Sequence, residues 1–143
     1  MTRKPKQTRS QNTVETIVQG AFIALAKHGA EGATTRQIAE YAGVGVGSIY
    51  EYFENKEAIF SAMGERFSRE LVGVIQGATN NVVRLSLRDG VYELIAQTAD
   101  FLKKDDELYL RCARESALME KHVPFGPIYR ALTDLFVQHA IKH

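Results

Sequence analysis

The side chains of this sequence that could do chemistry on their own are few and scattered. His139 and His143 are four residues apart and could share a helix face as metal ligands, but the sequence offers no third ligand beside them. Cys112 is the only cysteine, and a buried core thiol is its simpler interpretation. We find no nucleophile–base pair, phosphate loop or paired-carboxylate motif. We therefore expect no enzyme activity, no metal and no cofactor.

Basic residues are concentrated at the N-terminus, although the net charge of the 143 residues is only +1. The basic residues that precede the first acidic residue, Glu15, are Arg3, Lys4, Lys6 and Arg9. A basic arm of this kind either touches nucleic acid or serves as a solubilising tail, and both interpretations remain open. We predict a flexible basic arm at residues 1–9.

The composition indicates a soluble protein, with 45% hydrophobic and 24% charged residues. No stretch approaches the ~20 apolar residues that span a bilayer, and no apolar signal-peptide core follows the basic N-terminus. A single cysteine excludes an intramolecular disulfide. We therefore expect a cytoplasmic location.

Helical periodicity runs along most of the chain. Apolar residues from Val14 to Ala26 recur at steps of three and one, which is one stripe of a helix, and Gly29 ends it. Asn55 is a predicted N-cap for a later helix. Apolar spacing then predicts helices at 56–83, 89–103, 107–121 and 128–141. No alternating strand pattern competes, so the predicted fold is all-α, in two parts that meet near residue 55.

Two short helices are predicted between these longer ones. Thr34, with Gln37 three residues later, forms a capping box at the start of a helix about two turns long. Gly43 ends this helix, and the second short helix begins near Gly45 or Val46.

Two short helices joined by a glycine turn are typical of the helix-turn-helix, whose second helix enters the major groove of DNA. The spacing fits its packing needs. Ala39 is the small residue where the helices cross, Gly43 makes the turn, and Val44 helps to seal it. Ile49 places the second helix against the core. An ordinary helical hairpin in a small bundle remains the alternative.

The stretch TTRQIAEYAGVGVGSIYEYFENKEAIF, residues 34–60, resembles the N-terminal domain of TetR-type bacterial transcriptional regulators. The resemblance covers residues 10–60 tightly and extends loosely to residue 143. It implies a three-helix DNA-binding head at 10–55 and an incomplete helical effector-binding and dimerisation domain at 56–143. The matching pieces are Thr34-Thr35, Ile38-Ala39, Ala42-Gly43-Val44, Gly47-Ser48-Ile49-Tyr50, Tyr52-Phe53 and Asn55-Lys56-Glu57.

The resemblance also implies roles for individual residues. Thr35, Tyr50 and Lys56 match positions that usually hold the DNA backbone. Arg36 matches a position that can reach a base edge, where an arginine could take guanine bidentately. These four residues are therefore candidate DNA contacts.

The second short helix is the recognition helix by the same resemblance. Its predicted exposed face consists of Val46, Gly47, Ser48 and Tyr52, and plain solvent exposure is the alternative for each. Gly45 stands where the family usually has a capping serine. Glu51 and Glu54 are unfavourable beside phosphate, so we expect them to point away. Specificity should then depend on methyl contacts, Arg36, the arm and DNA shape.

The family resemblance implies a ligand-responsive repressor that binds a palindromic DNA operator and a small-molecule effector. The aromatic and methionine residues that could line an apolar effector pocket are Phe67, Phe101, Tyr109, Met119, Phe125 and Tyr129. Core packing explains these residues equally well. The alternative function is a small-molecule-binding or interaction bundle that lacks operator binding because of truncation.

We expect a homodimer in the full-length form and weak or heterogeneous dimerisation for these 143 residues. Members of the family usually continue for two further helices, whereas this sequence stops at VQHAIKH, as a fragment or early-terminated product would. Leu135, Phe136 and Ile141 would then lack part of their apolar cover. Sedimentation at micromolar concentration tests this expectation, and a sharp dimer with full operator affinity would contradict it.

Overall fold

The computed structural model describes the backbone of residues 3–143 and the side chains of residues 8–143. Within that part the chain forms seven helices and no strand, which confirms the all-α prediction. The helices are α1 (Arg3–Gly32), α2 (Thr35–Ala42), α3 (Val46–Tyr52), α4 (Lys56–Val82), α5 (Leu87–Cys112), α6 (Ser116–His122) and α7 (Phe125–Lys142). None of these helices combines the length and the apolar character needed to cross a membrane.

The first helix begins at Arg3, much earlier than the apolar stripe predicts. It therefore takes in most of the stretch that we predicted as a flexible arm. Pro5 does not prevent this, because it falls in the first turn, where backbone N–H groups have no intrahelical partner. Residues 1 and 2 lie outside the described residues, as do the side chains of three of the arm's four basic residues, Arg3, Lys4 and Lys6. The helix kinks at the predicted stop, Gly29, with φ 74° and ψ 177°.

The two short helices begin and end where the local sequence predicts. The Thr34 hydroxyl oxygen accepts a hydrogen bond from the Gln37 N–H at 3.1 Å, so it caps α2. Gly43 follows α2 in the left-handed region, with φ 70°, which glycine adopts without steric cost. The Val44 N–H donates to the Ala39 carbonyl at 3.0 Å and closes the turn toward α3.

The core of the head is built by four helices. Their completely buried isoleucines, one each from α1 to α4, are Ile17, Ile38, Ile49 and Ile59. Gly20 lets α1 cross α2 closely, because a Cβ there would lie 2.8 Å from the Cβ of Ala42. The start of α4 therefore belongs to the same core as the helix-turn-helix. The division into domains at residue 55 remains a prediction.

The prediction of one helix at 107–121 is wrong. The structure continues α5 to Cys112, through a non-helical stretch at Lys104–Glu107, and begins α6 only at Ser116. The break between them has a long-range cause, because the Glu115 carboxylate accepts from the Ala30 N–H at the kinked end of α1, at 3.0 Å. This contact joins residues 85 positions apart, so local periodicity could not indicate it.

The last helix begins at Phe125, three residues earlier than predicted. Pro127 falls in its first turn, where proline is tolerated. Of the three residues for which we expected incomplete cover, Leu135 is buried, whereas Phe136 and Ile141 are exposed. The expectation is therefore wrong for Leu135.

One face of α4 is fixed against the junction of α6 and α7. Ser68 donates to the Pro124 carbonyl at 2.8 Å, and Ser61 and His122 are hydrogen-bonded through Oγ and Nδ1 at 3.1 Å. Glu57 lies 3.4 Å from the Lys121 ammonium, and this contact lowers the pKa of the Glu57 carboxyl. Gly64, which lies on α4 between Ser61 and Ser68, packs against the backbone of His122. A Cβ added at Gly64 would be 2.2 Å from the His122 carbonyl oxygen.

Gly64→Ala should destabilise the chain by ~1–3 kcal/mol or more, because the backbone of His122 cannot yield as a flexible side chain would. Gly73→Ala is the matched control on the same helix, since an added Cβ there meets nothing within 4 Å. It should stabilise the chain by about 0.5–1 kcal/mol through helix propensity. Urea denaturation measures both, and equal effects of the two alanines would contradict the close approach at Gly64.

Candidate nucleic-acid interface

The predicted recognition helix, α3, has one buried face and one exposed face. Ile49 is completely buried and Phe53, just after the helix, is 8% exposed, as predicted. Val46, Tyr50 and Tyr52 are 39%, 56% and 37% exposed. Large apolar and aromatic surface on a helix of seven residues is thus left open to solvent beside a packed core. Such a surface suits contact with the methyl groups and backbone of a duplex.

Glu51 lies near the middle of the exposed face of α3. At 100° per residue, it is about 200° from the buried Ile49, which places it almost opposite the core. Gly47, two residues before Ile49, lies on the same outward side, and nothing is within 4 Å of the position of its Cβ. Glu51 therefore lies on the exposed face that carries the predicted recognition residues, although we expected it to point away from phosphate. Glu54 is exposed beyond the end of the helix.

The start of α2 presents the second part of the candidate surface. Arg36 is exposed, and it forms no ion pair with any carboxylate that the structure describes. Thr35 beside it is half-buried, as is Ser48 on α3. Because the Thr34 cap fixes the first turn, the Arg36 side chain projects from a defined backbone. The structure thus leaves the Arg36 guanidinium free to contact a ligand.

Lys56 has an internal contact that the sequence did not indicate. Its ammonium donates to the Ala30 carbonyl at 3.0 Å and lies 5.4 Å from the centre of the Phe60 ring. It therefore links the end of α1 to the start of α4. An ammonium has three donors, so this bond leaves others available for a phosphate.

The other residues singled out in the sequence serve the packing. Burial raises the pKa of the Cys112 thiol to about 12, which confirms a buried core thiol. The Nε2 atoms of His139 and His143 lie 3.0 and 2.9 Å from the backbone carbonyls of Leu85 and Val83. A carbonyl only accepts, so these nitrogens carry hydrogen and present no lone pair to a metal. Among the described residues, no group of three or more potential ligands could hold a metal ion.

The predicted effector-pocket residues do not line one cavity. Phe67, Tyr109 and Met119 border an apolar cavity of about 40 Å³ inside the helical core. Phe101 and Tyr109 border a larger one of about 520 Å³, with several polar side chains. Phe125 and Tyr129 are exposed on α7 and border neither cavity.

The helix-turn-helix of this structure matches a known family. Residues 17–63 match the model described as bacterial regulatory proteins, tetR family. Over these residues the head of this chain is similar to the tetR family. The match spans α2, α3 and the first two turns of α4, as well as most of α1. The tetR resemblance predicted from residues 34–60 is confirmed.

Relatives with curated descriptions are similar over about half of this chain. The HTH-type transcriptional repressor AcnR of Corynebacterium glutamicum is 33% identical over 79 residues, which cover 54% of this chain and 42% of AcnR. The nucleoid occlusion factor SlmA of Actinobacillus pleuropneumoniae is 30% identical over 78 residues, which cover 54% of this chain and 37% of SlmA. The chain spans less than half the length of these curated relatives.

Two solved structures share the tetR fold beyond the head. A Mesorhizobium loti protein described as a TetR-family transcriptional regulator superposes with a TM-score of 0.73 at 19% identity, covering 94% of this chain and 71% of the other. The fatty acid degradation regulator FadR of Bacillus halodurans gives 0.69 at 22% identity, covering 87% and 69%. At these identities the likeness establishes the fold alone.

Gly45→Ser should stabilise the head, because α3 begins at Gly45 without a side-chain cap. The backbone there is extended, with φ −77°, and an added Cβ meets nothing within 4 Å. A serine oxygen can accept from the first turn of α3, whereas alanine cannot, so Gly45→Ala is the matched control. We expect Gly45→Ser to exceed Gly45→Ala by about 1 kcal/mol in urea denaturation. Equal stability of the two variants would contradict the missing cap.

Proposed function

We propose that this chain is part of a sequence-specific DNA-binding transcriptional regulator, a ligand-responsive repressor. The observation that carries the proposal is the exposed face of α3, open to solvent opposite the fully buried Ile49 within a tetR-family head. AcnR, which is 33% identical over 79 residues, is described as a repressor. We propose a regulatory role and no enzymatic one, and a location in the cytoplasm.

The proposed DNA contacts divide by their chemistry. Hydroxyl and ammonium donors suit phosphate, and these are Thr35, Tyr50 and Lys56. The recognition surface consists of Val46, Gly47, Ser48 and Tyr52. Arg36 is the candidate for a guanine edge. To these we add Glu51, because it is exposed on the same face and its carboxylate could accept from the amino group of cytosine.

The proposed partners are a palindromic operator, a second copy of the full-length protein and a small-molecule effector. One helix-turn-helix reads only a few base pairs, so two heads on half-sites ~34–36 Å apart would supply the specificity. The alternative is a helical bundle that binds small molecules or proteins without binding an operator.

The decisive experiment is a mobility shift with DNA from beside the gene for this protein, across a range of salt concentrations. Sequence-specific retardation that weakens with salt supports the regulator. The chain should be tested alone and in an extended form. Absence of a salt-sensitive shift with both would overturn the proposal and favour the alternative bundle.

Arg36→Ala should cost ~1–3 kcal/mol of binding free energy and relax the preference at one base position, because a bidentate contact would be lost. Selection from random duplexes measures this preference. Arg84→Ala is the matched control, since it removes an exposed arginine just beyond α4, outside the head. An unchanged preference with Arg36→Ala would refute the base contact.

Lys56→Ala should weaken binding to every sequence and reduce the salt slope by about one, because a phosphate contact carries no base information. The substitution also removes the hydrogen bond from Lys56 to the Ala30 carbonyl, and this loss could lower the stability of the chain. The salt slope separates these effects, because a change in stability alone would leave the slope unaltered. An unchanged slope therefore assigns Lys56 to the internal contact only.

A further inference from the structure

Arg66 connects the head to the helices that follow it. It lies on α4, and its side chain is 12% exposed. One guanidinium nitrogen donates to the Gln19 side chain on α1 at 2.8 Å, and Nε donates to the Tyr109 hydroxyl on α5 at 3.1 Å. The guanidinium carbon also lies 4.5 Å from the centre of the Phe22 ring on α1. One cation on α4 therefore contacts both α1 and α5.

The charge of Arg66 is only loosely matched within the chain. The nearest carboxylate oxygen, Oε2 of Glu70, lies 3.5 Å from Nε, which is longer than a good charge-assisted bond. Among the described residues, the Nη1 nitrogen donates to no acceptor. The other oxygen of Glu70 accepts from the Tyr109 hydroxyl at 2.6 Å. Burial, and then this hydrogen bond, raise the pKa of Tyr109, so its hydroxyl remains a donor.

These groups border the cavity of about 520 Å³, a volume in the range of small-molecule sites. One part of its wall is polar, with Arg66, Glu70, Gln19 and the Tyr109 hydroxyl. Another part is apolar. It comprises Val74, Phe101 and Leu108. Lys104 and Asp105 also border the cavity, and both are exposed.

We propose that this cavity binds a small organic carboxylate with an aromatic or aliphatic body, whose carboxylate replaces that of Glu70 on Arg66 and Tyr109. The Arg66 guanidinium on α4 and the Tyr109 hydroxyl on α5 are both donors. The Glu70 side chain is 43% exposed and can turn into solvent. The present position of the Glu70 carboxylate shows that a carboxylate can accept a hydrogen bond from the Tyr109 hydroxyl. Asp105 does not oppose the anion strongly, because it is exposed and Lys104 beside it balances its charge.

The site deepens the proposed function, on which its regulatory meaning rests. A carboxylate bound to Arg66 would compete for the donors that now hold Gln19 and Tyr109. The packing of α1 against α4 would then differ between the free and bound states. A ligand shifts the equilibrium between two conformations only if it binds one of them more tightly than the other. In this chain the contacts of Arg66 would cause that difference in affinity.

Calorimetric titration of the 143-residue chain with phenylacetate, hexanoate and phenylacetamide tests the site. Phenylacetamide has the shape of phenylacetate without its charge, and we expect it to bind at least tenfold more weakly than phenylacetate. Both carboxylates should bind saturably at millimolar concentration. No saturable binding of either carboxylate, or equal affinity for phenylacetamide, would overturn the proposal.

Two variants on α4 locate the site without disturbing the buried arginine. Glu70→Gln removes the competing carboxylate and should tighten phenylacetate several-fold. Arg69→Gln removes an exposed cation next to Glu70 that does not border the cavity, and should leave the affinity unchanged. An unchanged or weaker affinity with Glu70→Gln, or a loss with Arg69→Gln, would place the anion elsewhere and overturn the proposal.

Operator binding is measured separately by mobility shift, so the two proposals can fail independently. Carboxylate binding without any DNA shift would support the proposed site and overturn the proposal that the chain is part of a repressor. A salt-sensitive DNA shift without carboxylate binding would support the proposed repressor and overturn the proposal of a carboxylate site.

Discussion

Burial of one isoleucine from each of the first four helices is the constraint on which the head depends. Ile17, Ile38, Ile49 and Ile59 are all completely buried in one core. Because Ile49 is among them, the orientation of α3 is fixed, and its outward face follows from the period of the helix. Because Ile59 is among them, α4 cannot move as a body without disturbing the packing of the head. The same apolar contact therefore orients the recognition surface and ties it to the rest of the chain.

The parts of the fold that the sequence predicts well are those determined by neighbouring residues. Thr34, Gly43 and Asn55 act within their own turns, and the structure confirms all three as caps. At Gly29, where we predicted the end of the first helix, the structure has a kink in the left-handed region that glycine adopts without steric cost. The break before α6 depends instead on the bond of Glu115 to Ala30, which only the folded chain brings together. Local patterns carry no signal for such a contact.

The candidate site also contains features that neighbouring residues determine and features that only the folded chain determines. Burial of Ile49 and exposure of Tyr50 follow from helical spacing and could be predicted. The internal bond of Lys56 could not, because its acceptor is a backbone carbonyl that any residue would supply. Glu51 is a different case, since its spacing from Ile49 already places it outward. Helical geometry determines where this side chain projects, and an expectation drawn from repulsion by phosphate alone takes no account of it.

The close approach at Gly64 has a mechanical consequence. It fixes one point of α4 against the backbone between α6 and α7, and that point is not at the middle of the helix. At 1.5 Å per residue, the fixed point is ~12 Å from the start of α4 at the head and ~27 Å from its far end. A rigid tilt about Gly64 would thus move the head end by less than half the displacement at the far end, and in the opposite direction. In such a tilt α4 would act as a lever whose shorter arm ends beside the proposed recognition helix, α3.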